Sequence, residues 1–231
     1  MGVLAIIPAR GGSQRIPGKN LAPLAGQPLL GHTIDHALLA RSVAEVVVST
    51  DHADIAALAI ARGVTLRWRP PALAGDTASS ESALLDVLDS RRAEGLDDPE
   101  IVVFLQCTSP VRAVDDIDRA VTALRDQKLD SLLSVCVNTR FCWGVDAQGQ
   151  PVSLNYDYRH RRREQDLDPQ YQENGSIYVF RPWVLRQTGN RLGGRMGFYQ
   201  MDYWSSFQVD EPEDLELITW IMKRRPDHAA G

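Results

Sequence analysis

Short apolar runs alternate with stretches of helical periodicity through the first part of the chain. Val3–Pro8 (VLAIIP) is continuously apolar, too short for a core helix, and predicts a buried strand. Leu29–Ala40 repeats its apolar positions at helical spacing. Strands follow at Glu45–Ser49 (EVVVS), Ile101–Gln106 (IVVFLQ) and Ser131–Val137, separated by predicted helices at Ala53–Arg62, Ser80–Arg92 and Ile117–Arg125. Strands that are apolar throughout, without alternation, are buried on both faces. Helices between them serve as crossover connections. The pattern predicts βαβ units and a three-layer α/β fold around a mostly parallel central sheet.

The pattern breaks at Asn138. From Asn138 to Glu173 the chain is polar, with the charge-dense stretch YDYRHRRREQD and little apolar periodicity. A structureless loop of this length is uncommon inside a compact domain, so residues 138–173 are expected to form either a substrate lid or an arm on another subunit. Strands are expected again at Gly175–Phe180, Met196–Met201 and Ser206–Val209. A last helix is expected over Pro212–Arg224, with Pro212 in its first turn and Asp210 as a candidate cap.

Composition narrows the picture. At 231 residues and 44% hydrophobic content the chain supports one sizeable core, hence a single domain over 1–231 carrying the insert. A net charge of −5 argues against non-specific nucleic-acid binding. The apolar run at the N-terminus precedes its basic residue, the reverse of a secretory leader, and no apolar stretch reaches the roughly 18 residues of a membrane span. Cys107, Cys136 and Cys142 form no CxxC pair. They are expected to be free thiols in a cytoplasmic protein, each acting as a small buried hydrophobe.

Candidate chemistry concentrates in PARGGSQRIPGKN, Pro8–Asn20, directly after the first strand. Ligands of open α/β sheets bind beyond the carboxyl ends of the strands. Gly11 and Gly12 permit close backbone approach, their N–H groups with that of Ser13 can cradle phosphate oxygens, and Arg10, Arg15 and Lys19 supply positive charge. The loop is neither GxGxxG nor GxxxxGK[ST], so a dehydrogenase or P-loop reading does not apply. Ser49, Thr50 and Asp51 end a strand at the ligand edge, where Asp51 either helps hold a nucleotide or caps the next helix. In LAGDTASSES, Asp76 and Thr77 offer polar contacts, and Ser79 or Ser80 caps the following helix. In LQCTSPVR, Gln106 and Thr108 can hydrogen-bond a polyol and Arg112 can meet a carboxylate or phosphate. The pair Asn174–Gly175 has turn chemistry. Asp210 is either the cap noted above or a ligand for a hard cation.

The Pro8–Asn20 loop resembles the N-terminal signature of the CMP-sialic acid synthetases, the acylneuraminate cytidylyltransferases. VVVSTD, LAGDTASS, LQCTSPVR, ENGSIYVF and VDEPEDLEL match that family in order along nearly the whole chain. The resemblance implies a nucleotidyltransferase, Rossmann-like fold and a homodimer joined through the 138–173 arm. It implies CTP and an acidic 2-keto sugar as substrates, with Mg²⁺ as cofactor and pyrophosphate as leaving group. Ala9, Arg10, Gly11, Gly12, Ser13, Gln14, Lys19, Asn20, Ser49, Asp76, Thr77, Ser79 and Ser80 would then meet the nucleotide. Gln106, Thr108, Ser109, Arg112, Asn174 and Gly175 would meet the sugar. Arg10, Arg15 and Lys19 would neutralise the triphosphate, and Asp210 would hold the metal. Gln208 stands where the family carries a second acid, and is a weaker metal ligand. Gln14 stands where relatives carry Lys, and Arg15 where many carry Gly. One of Arg161, Arg162 and Arg163 is implied over the sugar carboxylate, while solvated arm surface is the other reading of that run. The same reaction on a legionaminic, pseudaminic or KDO-type acid is one alternative. A nucleotide-binding regulator weakened by Gln14 and Gln208 is another.

Overall fold

The structure is a computed structural model that describes residues 2–13, 15–75, 77–163 and 166–225. A seven-stranded sheet runs through it. Its centre is built from β1 (Val3–Pro8), β4 (Val43–Thr50) and β6 (Ile101–Leu105), with β4 and β6 parallel to β1 on either side. Beyond β4 lies a short parallel edge strand, β5 (Thr65–Trp68); a separate two-residue pair, β2 (Pro23–Leu24) with β3 (Gln27–Pro28), lies between β1 and β4 in the chain. Beyond β6 come β10 (Tyr171–Phe180), β7 (Ser131–Val137) and the other edge, β11 (Met196–Gln200). The sheet is parallel except for β10, which runs antiparallel to both β6 and β7.

Helices cover both faces, and the strands divide their side chains between them. On one face Val3, Ala5 and Ile7 pack with α1 (Leu29–Leu39), α2 (Ala53–Ala61), α4 (Asp116–Asp126) and α6 (Pro212–Arg224). On the other, Leu4, Ile6, Val47, Phe104 and Tyr178 pack with α3 (Ser80–Ala93) and α5 (Pro182–Thr188). Each buried Val, Ile or Leu contributes roughly 1.5–3 kcal/mol by leaving water. The fully apolar strands thus stabilise both layers at once, as their lack of alternation predicts.

The expected strand at Ser206–Val209 does not form. Tyr203–Ser206 makes a 3-10 turn, with Asp202 accepting the Ser205 N–H, and only the Val209 N–H reaches a neighbouring main chain, at Thr108 O (2.7 Å). The 138–173 insert holds more structure than its polarity suggests. β8 (Trp143–Val145) and β9 (Pro151–Ser153) form a hairpin; at its base Asn155 Nδ2 donates to Gln170 Oε1 and Gln170 Nε2 donates to the Asn155 main-chain carbonyl. Phe141, Trp143, Tyr156 and Tyr158 gather their rings beside it. Cys142 lies exposed in this insert, against the expectation of three buried thiols, because the hairpin is too thin to enclose it. Cys107 and Cys136 are buried.

The long strand β10 starts in the insert and ends in the core. Its register against β7 shifts between Glu173 and Tyr178, and Gly175 takes a left-handed φ of 64° within that shift. The site is also crowded by two side-chain ends. A Cβ at 175 would lie 2.7 Å from Gln106 Oε1 and 3.1 Å from Gln208 Oε1.

Candidate active site

β1, β4 and β6 all end at one edge, and a cleft of about 250 Å³ opens there. Its near wall is the glycine loop. Ala9 is buried and extends the β1–β4 ladder by donating to Ser49 O (2.9 Å). The chain then turns outward. The Arg10 guanidinium reaches Gly75 O (3.0 Å) and the Arg10 carbonyl accepts from Asn20 Nδ2 (2.9 Å). The loop is therefore fastened both to the segment before α3 and to its own far end. Gly11 donates to Asp51 Oδ1 (2.9 Å), and its Cα packs so closely on the His52 ring that a Cβ would come within 2.6 Å of Cδ2. Gly12 faces open space and, with Arg10, Ser13, Lys19 and Asn20, lines the cleft.

The opposite wall is the end of β6 and the start of α3. Phe104, Gln106, Cys107 and Thr108 line it together with Ser80. Ser79 caps α3, accepting from Ser82 N (3.1 Å), which leaves Ser80 for the cleft. Phe104 stacks on Tyr178 (5.2 Å between centroids), giving an apolar floor beside the amide of Gln106. The Cys107 thiol is pushed up to about 12 by burial, so it is not a thiolate nucleophile near neutral pH.

Lys19 joins the glycine loop to the segment ahead of α6. Its ammonium donates to Val209 O (2.9 Å) and to Asp210 Oδ1 (3.3 Å). Asp210 is not the helix cap. Glu211 holds that position, and Asp214 accepts from the N–H groups of both Asp210 and Glu211 (2.8 Å each). The Asp210 carboxylate, about half exposed at 49%, is thus turned toward the loop. Among the described residues no three His, Cys, Asp or Glu side chains converge as a metal cage. Asp210 offers one carboxylate, already beside Lys19, and the Gln208 amide ends near Gly175; a hard cation bound there would take its remaining ligands from phosphate oxygens and water.

Several residues expected to touch a ligand do other work. Arg112 is wholly buried, its guanidinium donating to main-chain carbonyls and a threonine hydroxyl, so it meets no ligand anion directly. Asn174 is wholly buried as well, donating to Ser205 O (3.1 Å) and accepting from Ser134 Oγ and Ser176 N. Ser109 donates to Asn174 O (3.0 Å), and Ser49 is enclosed, its Oγ accepting from Arg69 Nε (3.1 Å). In each case the sequence places the residue near the ligand edge but does not reveal its depth. Asp51 neither caps α2, a role taken by His52, nor lines the cleft; it pins Gly11. Arg15 is exposed and pairs with Glu211 (3.3 Å), outside the cleft lining. Thr77 is exposed on the loop before α3, and Gln14 and Asp76 lie outside the described residues. In the arm, Arg161 stacks over Phe141, Arg163 pairs with Asp166 (2.8 Å), and Arg162 lies 4.0 Å from Asp168. None of the three lines the cleft.

Sequence reasoning also missed contributors. Phe104 was legible as the same-face neighbour of Gln106, two positions earlier on a strand. Arg69 is buried behind Ser49, near enough for Asp51 to bear on its charge, and no motif marked it.

A three-layer, mostly parallel sheet whose first strand opens into a glycine-and-cation loop facing a cleft is the architecture of a nucleotidyltransferase. The chain belongs to the cytidylyltransferase family, whose model matches residues 4–225. It is 37% identical to the CMP-N,N'-diacetyllegionaminic acid synthase of Legionella pneumophila, over 96% of this chain and 97% of that protein. It is 34% identical to N-acylneuraminate cytidylyltransferase A of Danio rerio, over 90% of this chain but 48% of that protein. The chain thus spans about half the length of several curated relatives it matches. Among solved structures, CMP:2-keto-3-deoxy-manno-octonic acid synthetase complexed with CTP superposes with a TM-score of 0.72 at 20% identity, covering 97% of this chain and 99% of that one. The 4-diphosphocytidyl-2C-methyl-D-erythritol synthase of Anaerococcus prevotii superposes at 0.69 and 14% identity, covering 96% and 99%. Both likenesses concern the fold. Among the described residues no helix is long and apolar enough to cross a membrane.

Proposed function

We propose that this protein transfers the CMP group of CTP to a hydroxyl of an acidic 2-keto sugar of the sialic or legionaminic acid kind, releasing pyrophosphate. The observation that carries the reading is the cleft itself, lined both by Arg10, Gly12, Ser13 and Lys19 and by Gln106 and Thr108. The resemblance to nonulosonic acid cytidylyltransferases over nearly the whole chain supports it.

No covalent enzyme intermediate is required. A sugar hydroxyl attacks the α-phosphorus in line, and the chain's task is to position both substrates and neutralise developing charge. Arg10 and Lys19, with the N–H groups around Gly12 and Ser13, meet the triphosphate. Gln106 and Thr108 orient the acceptor. Lys19, already beside Asp210, links the phosphate end to the segment ahead of α6. Asp210, with Gln208 as a weaker neutral donor, would hold Mg²⁺, which when bound offsets phosphate charge and lowers the pKa of a coordinated hydroxyl. The arm, rich in exposed aromatic surface at Trp143 and Tyr158, is the proposed contact of a homodimer. A cytoplasmic location accords with CTP as substrate.

Incubation with CTP, Mg²⁺ and a panel of sialic, legionaminic, pseudaminic and KDO-type acids, scored by pyrophosphate release, tests the reading. Turnover with a nonulosonic acid is expected. Tight CTP binding without pyrophosphate release on any acceptor would replace it with a regulatory, nucleotide-sensing role.

A further inference from the structure

Arg112 presents a physical problem. It is wholly buried, and the hydrogen-bond partners of its guanidinium are neutral: Gln106 O at 2.7 Å, Ser176 O at 3.0 Å and Thr33 Oγ1 at 3.2 Å. Its Nε is buried with no hydrogen-bond partner among the described residues. The buried Asp116 carboxylate acts on that charge through space, while the bonds that fix the guanidinium in place go to the neutral groups, a costly way to hold a buried charge.

The position of the two carbonyls gives that arrangement a role. β6 and β10 pair through Leu105↔Ile177. Gln106 and Ser176 are the next residue beyond that pair on each strand, and both of their carbonyls accept from the same nitrogen, Nη2. One guanidinium therefore closes the end of the ladder where the strands part. The residues on either side of this closure form the cleft wall. Gln106 lines the cleft, and Gly175, just before Ser176, is packed against the ends of the Gln106 and Gln208 side chains. A change in the separation of the two carbonyls would change both where Gln106 starts and the room it has.

We propose that Arg112 is a positioning residue that sets the Gln106 amide in the cleft by clamping the main chains of β6 and β10, without touching the acceptor. The assignment of Gln106 to the acceptor rests on the function proposed above; the clamp does not. Lysine retains the charge but lacks the planar fork that serves two carbonyls and Thr33 together.

The test is a double-mutant cycle of Arg112→Lys with Gln106→Ala. Arg112→Lys is expected to lower kcat/KM for the acceptor by about 10- to 100-fold, as a misplacement on the ångström scale does. CTP affinity, measured by calorimetry without acceptor, should stay within about twofold, because the groups Arg112 holds, Gln106 O, Ser176 O and Thr33 Oγ1, lie outside the glycine loop. In the Gln106→Ala background the same change should cost less than about twofold; fully additive losses would overturn the proposal. A readout independent of turnover is the Gln106 side-chain amide signal in ¹⁵N NMR. It should shift in Arg112→Lys while that of Gln150, in the arm, stays put; an unmoved Gln106 signal would overturn the clamp. A shifted signal with no turnover on any acceptor supports the clamp and removes the transfer reaction instead. Should Arg112→Lys not fold, Thr33→Val, which removes one guanidinium partner, is expected to move the Gln106 signal the same way by less, and no movement would count equally against the proposal.

Discussion

Gly175→Ala separates the stability and the chemistry of the cleft. The residue sits at φ 64°, where an L-side chain costs roughly 1–2 kcal/mol. Its Cβ would also approach Gln106 Oε1 at 2.7 Å and Gln208 Oε1 at 3.1 Å. Those atoms end flexible side chains, so they swing away without forcing the backbone to move. The stability cost is then the backbone term alone, which for a chain of this size lowers the melting temperature by about 2–8 °C. The functional cost is larger, because the same swing withdraws the Gln106 amide. A 10- to 100-fold fall in kcat/KM for the sugar acid is expected, with CTP affinity nearly unchanged. Thermal unfolding, pyrophosphate release and calorimetry read the three quantities separately. An unchanged melting temperature would refute the left-handed geometry at 175. A lowered melting temperature with an unchanged acceptor KM would refute the role given to Gln106.

Three further outcomes are expected. Asp210→Ala should abolish turnover with CTP and Mg²⁺ while the protein stays folded by circular dichroism, and undiminished turnover would remove Asp210 from the metal site. Gln208→Glu should lower the Mg²⁺ concentration giving half-maximal rate; an unaltered requirement would show that position 208 is not a ligand. Burial, followed by the charge of Arg112, holds the His36 imidazole down to about 3 from the ordinary 6.5, so the unfolded chain takes up a proton that the folded chain refuses. This contribution to stability is complete above the unfolded value of 6.5 and falls by about 2 kcal/mol on acidification to around pH 5. Denaturant midpoints should accordingly vary less with pH in His36→Gln than in the parent, and parallel profiles would contradict the burial argument.

Where burial on both faces dictates composition, the fold was legible. β1, β7 and α6 match their expected limits because apolar runs and a first-turn proline mark them directly. The reversed direction of β10 was not, since GSIYVF reads alike whichever way it enters the sheet. β5 escaped because a four-residue edge strand bearing Arg67 and a half-exposed Trp68 carries no buried run. In the site, the glycine loop and Gln106 could be placed because strand ends in a parallel sheet share one edge. Depth could not. Arg112, Asn174 and Ser109 have the polar chemistry of ligand contacts, and only the closing of main chain around them shows that they hold the cleft's framework. Asp210 illustrates the converse. The sequence offered it as a helix cap or as a ligand for a hard cation, and what removes the cap is Glu211 and Asp214, one and four residues later.

β10 runs from the insert at Tyr171 to the core at Phe180, with the register shift and the left-handed Gly175 between them. Four residues of extended chain, about 13 Å, connect the foot of the arm to Gly175. A strand is stiff along its length, so a displacement of the arm would meet first the left-handed residue at 175, beside which the Gln106 and Gln208 side chains end. An arm held from outside would therefore bear on the cleft wall through Gly175, along a single strand.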